Sequence, residues 1–535
     1  MRLAVVGATG NLGTAVLRQL KDRPEVGSVV GIARRLPDTG SDPYSTAEWR
    51  TADIQFQESR SVLAEAFEGA DAVIHLAWLI QPNSERDLLR RVNVDGTRHV
   101  LEAAEKAGVP QITVASSVGA YSPVEDDELR GEDWPTEGIP TSHYSVDKAA
   151  QERVLDEFEA AHPEIALARI RPGLIFQADA GSEIQRYFAG SWAPVQILRR
   201  MRPPLIPLPE GIRAQAVHAD DVAAAFAEAA VRDARGAFNV CADDILDAQA
   251  ISRVVGQGRN GGGRNIPLPG APLRPLIRAA NRAGVLPMDE GWLDMAHRVP
   301  LMDTTRAREE LGWSPSRTAA EALEDLIRGM SEGTGRASVP MRPRKTPIAH
   351  EDLLPPEGHM VPEHVDALLL RQYMADHLAG ATAGLDRIKM MADSFIDTPV
   401  FPQVSAVAEA IRTEHGFLQE LMRRQGFPRP PLSASATWAG EKLGRLKPNA
   451  RGPFSRSPVR MVLESELMIA AVTGKMHGWK VMLEHAGELG VSESVFEELI
   501  QAAEEQRETL GTVYAYAAER AFRKDRETFQ PQKTS

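Results

Sequence analysis

The sequence predicts an α/β domain built on a doubly wound parallel sheet, followed by an all-α helical bundle. In residues 1–331, short β-branched segments alternate with amphipathic helical segments. Repeated strand–helix–strand units of this kind form parallel sheets covered by helices on both faces. Residues 363–525 have an almost wholly helical pattern, and the intervening residues 332–362 are rich in proline, glycine and charge. That composition is typical of a linker, so we expect two domains.

Five apolar, β-branched segments of the first region are predicted to be buried strands of the sheet. They span Leu3–Gly7, Ser28–Ala33, Ala72–Ala77, Ile112–Ser117 and Ile165–Pro172. Residues 177–300 are less regular and rich in proline and glycine. They are expected to form a small substrate cap that is interleaved with the last elements of the sheet.

The second region contains four long helical segments, which predict an antiparallel four-helix bundle. They cover residues 363–393, 403–425, 458–486 and 494–522. Ser494 and Glu497 have the spacing of a capping box at the start of the last helix. The region loosely resembles ferritin-like bundles, but none of its four segments carries the Glu-x-x-His motif of their di-metal sites. We therefore expect no metal ligands, and a bundle that serves homodimer formation or partner binding.

The composition of the chain limits the classes of partner that we expect it to bind. The 535 residues carry a formal net charge of −13, which argues against a nucleic-acid-binding surface. No apolar run approaches the roughly 20 residues needed to span a bilayer, and the first apolar run is too short for a signal peptide. The lone cysteine, Cys241, excludes an internal disulfide and fits a reducing compartment. We expect a cytoplasmic protein with no nucleic-acid or membrane partner.

The stretch VVGATGNLG places three glycines between the first predicted strand and the first predicted helix. Glycines allow a tight turn and a close backbone approach, and the helix N-terminus offers free N–H groups and a positive dipole end to phosphate. This arrangement predicts a Rossmann-type fold that binds the pyrophosphate of a dinucleotide. The expected contacts are Gly7, Gly10, Asn11, Leu12 and Gly13.

The end of the second predicted strand bears on the choice of dinucleotide. Arg34 and Arg35 stand where an acidic residue would hydrogen-bond the adenosine ribose of NAD. Arginine at this place accommodates the 2′-phosphate of NADP instead. A solvated pair of loop arginines is the alternative interpretation. NADP is therefore favoured over NAD, and both stay open.

The stretch HYSVDKAAQE places Tyr144 and Lys148 four residues apart, on one face of a predicted helix. The spacing alone is also compatible with an ordinary amphipathic helix. A free tyrosine has a pKa near 10 and is a poor base, but a nearby lysine ammonium favours the phenolate. The position of the pair after a phosphate loop favours a role in moving a proton to or from a substrate oxygen.

Nine short motifs follow one another along residues 1–331. They are GATGNLG, ADI, HLA, VNVDGT, VASSVGAY, YSVDK, RPG, VHADDVA and LGWSP. In this order they resemble the extended short-chain dehydrogenase/reductase family, also called the NAD-dependent epimerase/dehydratase family. The resemblance implies an NAD(P)-dependent oxidoreductase or epimerase that acts on a hydroxyl or carbonyl group of a small molecule. Hydride would pass to or from the cofactor while a tyrosine acts as acid or base.

The resemblance also implies roles for individual residues. Ser117, Tyr144 and Lys148 would be catalytic, with Ser116 as the alternative serine. Asp53 and Ile54 would flank the adenine, Ala77 would line the groove, Asn93 would support the site, and Pro172 would abut the nicotinamide. The full set of expected cofactor-binding residues is Gly7, Gly10, Asn11, Leu12, Gly13, Arg34, Arg35, Asp53, Ile54, Ala77, Asn93, Lys148 and Pro172.

Two departures from the family pattern bear on the substrate. The segment WLIQP lacks the polar or basic cofactor contact of sugar-nucleotide epimerases, and LIFQADAGSE replaces the usual valine-tyrosine-glycine-proline ending. Both weaken the case for a sugar nucleotide. WLIQP and PPLIPLPEG either line an apolar pocket or form core. A dinucleotide-binding sensor or scaffold, and a metal-dependent oxidase in the bundle, stay open as alternative functions.

Overall fold

The computed structural model of the chain divides into two compact units, Met1–Lys345 and Thr346–Ser535. The structure describes residues 1–80, 85–185, 205–256, 263–282, 289–343, 348–427 and 458–522. The division between the units falls inside residues 332–362, the segment predicted to be a linker. Three parts of the predicted cap and the end of the predicted bundle lie outside the described residues, namely 186–204, 257–262, 283–288 and 523–525.

A parallel sheet forms the centre of the first unit. The strands of this unit, in chain order, are β1 (Arg2–Val6), β2 (Ser28–Ala33), β3 (Glu48–Thr51), β4 (Ala72–His75), β5 (Gln111–Ala115), β6 (Leu129–Arg130), β7 (Ala166–Pro172), β8 (Leu174–Phe176), β9 (Leu205–Pro209), β10 (Arg213–His218), β11 (Gly236–Val240), β12 (Ile245–Asp247), β13 (Arg264–Leu268) and β14 (Leu301–Met302). Seven of them form a sheet of order β11-β7-β5-β4-β1-β2-β3, and every neighbouring pair in it is parallel. The order reverses between β1 and β4, and sheets of this class bind ligands at the carboxyl edge beside such a reversal.

The predicted parallel sheet is confirmed, and each of the five predicted strands corresponds to one of its members. The sequence pattern misses β3 and β11. The EWRT of β3 is an edge strand with mostly exposed side chains, so it lacks the apolar run that marks a buried strand. The GAFNV of β11 is short and contains a glycine and an asparagine, although four of its residues are buried.

Helices cover both faces of this sheet, as predicted. The helices of the first unit are α1 (Asn11–Lys21), α2 (Ser59–Phe67), α3 (Arg86–Arg90), α4 (Gly96–Lys106), α5 (His143–Ala161), α6 (Gly181–Ile184), α7 (Ala219–Val231), α8 (Ala248–Val255), α9 (Gly270–Arg282), α10 (Glu290–Arg298), α11 (Thr305–Leu311) and α12 (Ala319–Glu332). On one face α1 packs against the alanine-rich α7, and the small side chains of α7 allow a close approach to the strands. The other face carries α2, α4 and α5.

Residues 333–343 continue the first unit instead of forming a free spacer. The Ser338 hydroxyl donates a 2.8 Å hydrogen bond to the carbonyl of Thr9 in the glycine loop, and Met341 is fully buried. Farther along the predicted linker, Leu354 packs into the apolar core of the second unit. Both ends of the predicted linker are therefore anchored by buried contacts that its composition does not reveal.

The second unit is the predicted helical bundle. Its helices are α13 (Ala367–Ser394), α14 (Phe401–Arg424), α15 (Pro458–Glu484), α16 (Ala486–Leu489) and α17 (Glu493–Ala521). Two antiparallel hairpins, α13–α14 and α15–α17, pack side by side, and cross-helix contacts such as Arg387–Glu464 and His377–Gly478 show that α13 and α15 are antiparallel neighbours. Across the described parts of both units, every helix is too short or too polar to cross a bilayer.

The predicted capping box at the start of the last helix is wrong by two residues. The helix begins at Glu493, and Ser492 is the residue with extended backbone at its N-cap. Ser494 therefore lies inside the first turn, where its hydroxyl meets that of Ser492 at 2.9 Å and does not cap a backbone N–H.

Candidate active site

The glycine loop packs so closely that side chains are excluded from two of its positions. Gly7 follows β1 with φ of +87°, and a Cβ there would lie 2.6 Å from the backbone nitrogen of Ala77, just after β4. A Cβ on Gly13 would run into the Gly7 carbonyl and the Ala8 backbone. Gly10 is the N-cap of α1 and brings no capping side chain. The N–H groups of the first turn of α1 therefore face a cradle that fits a pyrophosphate.

Two alanine substitutions in this loop should separate folding from binding. Gly13→Ala should lower the free energy of unfolding of the first unit by about 1–3 kcal/mol, because the added methyl group meets backbone atoms. A Cβ on Gly10 would have only one ordinary contact, at 3.7 Å to the Gly7 carbonyl. Gly10→Ala should therefore keep its stability and lose dinucleotide affinity, because the methyl group stands where the phosphate approaches. Thermal unfolding and calorimetric titration with NADP⁺ check both outcomes, and equal effects of the two variants on both readouts would contradict this account of the loop.

The residues predicted to meet the adenosine lie together at the carboxyl ends of β2 and β3. The Arg34 guanidinium and the Asp53 carboxylate are 3.9 Å apart, and Arg35 follows on the same loop. Asp53 also accepts hydrogen bonds from the backbone and side-chain nitrogens of Gln55. Ile54 is buried, next to α4. This end of the groove therefore presents two cations and one carboxylate.

Asn93 fixes the segment that follows β4. Its side-chain amide donates to the Leu79 carbonyl at 2.9 Å and accepts from the Leu79 N–H at 2.7 Å. Asn93 lies in a π-helical turn, Arg91–Asp95, and is buried. This clamp fixes Leu79 in the segment after β4. The supporting role that the family resemblance implies for Asn93 stays a prediction.

Ser117 and Tyr144 meet beyond the carboxyl end of β5. Tyr144 is the second residue of α5 and is half-buried. Gly119 leaves room for the Tyr144 ring, since a Cβ on Gly119 would lie 2.9 Å from that ring. Burial raises the pKa of Tyr144 to about 12, against the lowering effect of a hydrogen bond with the Ser117 side chain. The phenol is therefore protonated at neutral pH.

Lys148 lies one helical turn after Tyr144 and is 2% exposed. Its ammonium donates to the Ala115 carbonyl at 2.8 Å and to the Gln151 side chain at 3.1 Å, and it sits 3.5 Å from the centre of the Trp78 ring. Burial lowers the pKa of Lys148 well below its usual value. We expected Lys148 to lower the pKa of Tyr144, but in the structure it does not. The Lys148 ammonium is bound instead to the Ala115 carbonyl, the Gln151 side chain and the Trp78 ring.

A buried charge network behind the site was not predicted. Glu152 is fully buried on α5 and accepts two hydrogen bonds from Arg171, at 2.8 and 3.0 Å, and one from Arg169 at 3.1 Å. Burial raises the pKa of Glu152, but the two arginines and the Ser116 hydroxyl outweigh it and bring the value to about 2. The sequence does contain a signal for this network. It has two arginines in the otherwise apolar strand IALARIRP and a glutamate in HYSVDKAAQE.

The network also distinguishes the two candidate serines. The Ser116 hydroxyl donates to Glu152 at 2.5 Å and is buried, so it points into the network. Ser117, by contrast, lies beside Tyr144 and accepts a 3.0 Å hydrogen bond from the Gly119 N–H. Pro172 ends β7 directly after Arg171, and it is buried at the same edge of the sheet. The geometry thus favours Ser117 over Ser116 as the serine that faces a substrate.

Aromatic and thioether side chains surround the Tyr144 ring. The Trp78 ring centre lies 5.8 Å from that of Tyr144, and the Trp292 centre lies 5.2 Å from it. Met295 closes the side next to Gly119. Sequence reasoning missed Trp292 and Met295, because α10 is distant in the chain. Gly291 makes the contact possible, since a Cβ there would lie 2.8 Å from the Ser142 backbone at the start of α5.

Comparison with known proteins bears on the family of the first unit. Residues 3–241 match the model of the NAD dependent epimerase/dehydratase family. An uncharacterized protein of Mycobacterium tuberculosis is 27% identical over 348 residues, which cover 64% of this chain and 32% of that protein. The NAD-dependent glucose-6-phosphate dehydrogenase of Haloferax volcanii is 29% identical over 203 residues, covering 34% of this chain and 71% of that enzyme. The chain thus spans about a third of the length of the first of these relatives.

A solved structure gives a similar match. The UDP-glucose 4-epimerase of Thermotoga maritima, crystallised with UDP-glucose, is 19% identical, with 62% of this chain and 98% of that chain covered and a TM-score of 0.45. The assignment rests on the match to the family model, on the parallel sheet and on the sequence motifs at its carboxyl edge. The first unit of this chain therefore contains an NAD dependent epimerase/dehydratase domain over residues 3–241.

Proposed function

We propose that the first unit is an NADP(H)-dependent oxidoreductase that interconverts a carbonyl and a hydroxyl group on a mainly apolar small molecule. The observation that carries the proposal is the meeting of Ser117 and Tyr144 at the carboxyl edge of the sheet, with Lys148 one helical turn away on α5. The glycine loop that fits a pyrophosphate lies at the same edge, after β1.

In the proposed reaction Tyr144 transfers the proton. A phenol that is protonated at neutral pH suits the donation of a proton to a carbonyl oxygen, and the same group takes the proton back in the oxidation. Ser117 would hydrogen-bond the same oxygen and fix its position. The dinucleotide, when bound, supplies or accepts the hydride. Lys148 would hold the ribose hydroxyls once the Trp78 ring moves off its ammonium.

The substrate class follows from the surroundings of Tyr144. Trp78, Trp292 and Met295 give this side of the pocket an apolar and aromatic wall. Such a wall favours an apolar body, and it offers few partners to the many hydroxyl groups of a sugar nucleotide. Aryl ketones and the corresponding alcohols fit this description.

The choice of NADP over NAD rests on Arg34 and Arg35. We expect Arg34→Ala to raise the Kd for NADP⁺ about tenfold to 100-fold and to leave the Kd for NAD⁺ nearly unchanged, because a charge-assisted hydrogen bond to the 2′-phosphate is lost. Arg60→Ala, which removes a partly exposed arginine paired with Glu102, is the matched control. Calorimetric titration of the three proteins measures the effect. An equal loss of affinity for both dinucleotides in Arg34→Ala would contradict the preference for NADP over NAD.

Activity is tested on the full chain with NADPH and acetophenone, against UDP-glucose as the competing substrate class. The proposal predicts that acetophenone is reduced while NADPH absorbance falls, and that UDP-glucose is neither oxidised nor epimerised. Conversion of UDP-glucose without conversion of acetophenone would contradict the apolar substrate class.

A further inference from the structure

The second unit contains a cavity of about 440 Å³ between α13, α14 and α15. Glycines open it, because Gly380 and Gly384 on α13 lie across from Gly474 on α15. A Cβ added to any of these three would meet no atom within 4 Å. The volume lies within the roughly 300–1,000 Å³ of small-molecule sites. The cavity therefore has the size of a ligand site, and glycines line part of it.

The walls of the cavity are mainly apolar or aromatic. Ile411 and Leu418 come from α14, and Met468 and Val472 come from α15. Trp479 is 3% exposed, and its indole N–H is buried without a hydrogen-bond partner among the described residues. The walls that a ligand would contact are mostly carbon atoms, so the surface that the ligand turns towards them must be mainly apolar.

A small polar group is built into one wall. The Lys475 ammonium donates to the Glu414 carboxylate and, at 2.5 Å, to the Gln506 side chain. Gln506 in turn donates to Glu414 at 2.6 Å, and the side chains of Glu414 and Gln506 are almost completely buried. This closed triad has no net charge. It uses two of the three ammonium protons of Lys475, which itself lines the cavity.

The histidines of the cavity add no charge. Burial lowers the pKa of His415, with a further effect of the Lys389 charge, and burial lowers the pKa of His377. Thr382 donates its hydroxyl hydrogen to the Leu378 carbonyl, so its oxygen accepts a hydrogen bond from the His415 Nε2–H at 3.0 Å. His415 therefore presents an uncharged ring. Within the described residues no three His, Cys, Asp or Glu side chains lie close enough to hold a metal ion, so the chemistry here is that of an organic ligand.

We propose that this cavity binds a neutral, mainly apolar small molecule that carries one carbonyl or hydroxyl oxygen. The oxygen accepts a hydrogen bond from the remaining proton of the Lys475 ammonium, and the apolar body lies against the glycines. Neutral ligands are selected because the Glu414–Lys475 pair is already balanced. The other carboxylate among the lining residues, Asp376, is exposed to solvent, so a second charge beside Lys475 would be buried without a partner. The site is independent of the function proposed for the first unit.

The probe for this site is prodan, a neutral naphthyl ketone whose fluorescence reports both its surroundings and hydrogen bonding to its carbonyl oxygen. The full chain is titrated to determine the number of dye sites. Gly474→Leu should remove one site, because the leucine side chain fills the cavity. Gly511→Leu is the matched control, since Gly511 also has open space at its Cβ position but lies on α17 away from the cavity. Leucine has a higher helix propensity than glycine, so neither variant should unfold earlier on heating. An unchanged number of dye sites in Gly474→Leu would overturn the proposal.

A second arm tests the polar contact and the preference for neutral ligands. The double variant Glu414→Gln, Lys475→Met removes both charges together, so that no buried charge is left without its partner. It should weaken prodan binding at this site about tenfold and shift the emission to shorter wavelength, because the hydrogen bond to the carbonyl is lost. Unchanged affinity and emission would contradict the role of Lys475. The anionic dye anilinonaphthalene sulfonate tests the selection of neutral ligands. If it bound as tightly as prodan, and if Gly474→Leu abolished that binding, the selection of neutral ligands would be contradicted.

Discussion

Tyr144→Phe should lower the turnover of the first unit by about 10²–10⁴-fold, because the phenylalanine ring keeps the packing but has no proton to transfer. The ring keeps its contacts with Gly119, Trp78 and Trp292, so the site should stay intact. The Kd for NADP⁺ should change by less than about threefold. Steady-state kinetics with an accepted ketone, together with calorimetric titration of NADP⁺, measure the two effects.

A second tyrosine provides the control for this variant. Tyr121 is fully buried and its hydroxyl donates to Asn239 at 2.7 Å, as part of the charge network. Tyr121→Phe should cost stability and leave most of the turnover. If Tyr144→Phe retained most of its activity, proton transfer by Tyr144 would be excluded. If both variants lost activity equally, the loss could not be assigned to proton transfer by Tyr144. A native chain that binds NADP⁺ but turns over no ketone would be better described as a dinucleotide-binding sensor.

Glu152→Gln should lower the free energy of unfolding of the first unit by about 3–5 kcal/mol, because the buried Arg171 loses the carboxylate that pairs with it. Arg169 is affected less, since it also pairs with Asp156 and Glu159. Thermal or denaturant unfolding of the full chain measures the change, and the transition that shifts with added NADP⁺ identifies the first unit. Glu157→Gln is the control on the same helix. The Glu157 side chain is 63% exposed and pairs with Arg98, so its loss should cost less than about 1 kcal/mol.

The same network makes a prediction about acid. The pKa of Glu152 falls from its usual 4.5 to about 2 in the folded chain, so its ionised form stabilises the fold above pH 4.5. This stabilisation is lost as the pH falls towards 2, when the carboxylate takes up a proton in the folded state too. The stability difference between the native chain and Glu152→Gln should therefore narrow over that range. A difference that stays constant down to pH 2 would show that the variant acts through packing alone.

Local patterns in the sequence were sufficient for most of the fold. The β-branched segments before Gly7 and at Ala72–His75 are buried because they lie in the middle of a parallel sheet, and such strands carry their signal in their own residues. The edge strand β3 faces solvent and has no such signal. The anchoring of residues 333–343 by Ser338 and Met341 depends on distant partners, which a proline- and glycine-rich composition does not reveal.

The candidate site shows the same division. Gly7 and Gly13 could be predicted, because a strand–glycine–helix pattern is local and has a direct physical reason. Trp292 reaches Tyr144 only because α10 packs against the start of α5, and no local pattern encodes that contact. The direction in which the Lys148 ammonium points could not be predicted from the sequence either, since it depends on contacts with the Ala115 carbonyl and the Trp78 ring.

The measurement that tests the central claim most directly is the transfer of deuterium to a ketone from NADPH that carries deuterium at both C4 positions of the nicotinamide ring, with the full chain as catalyst. We predict an alcohol that carries one deuterium on its carbinol carbon, formed together with one equivalent of NADP⁺, and transfer that is about 10²–10⁴-fold slower with Tyr144→Phe. A product without deuterium, or transfer that persists unchanged in Tyr144→Phe, would contradict the account of the first unit as a Tyr144-dependent oxidoreductase.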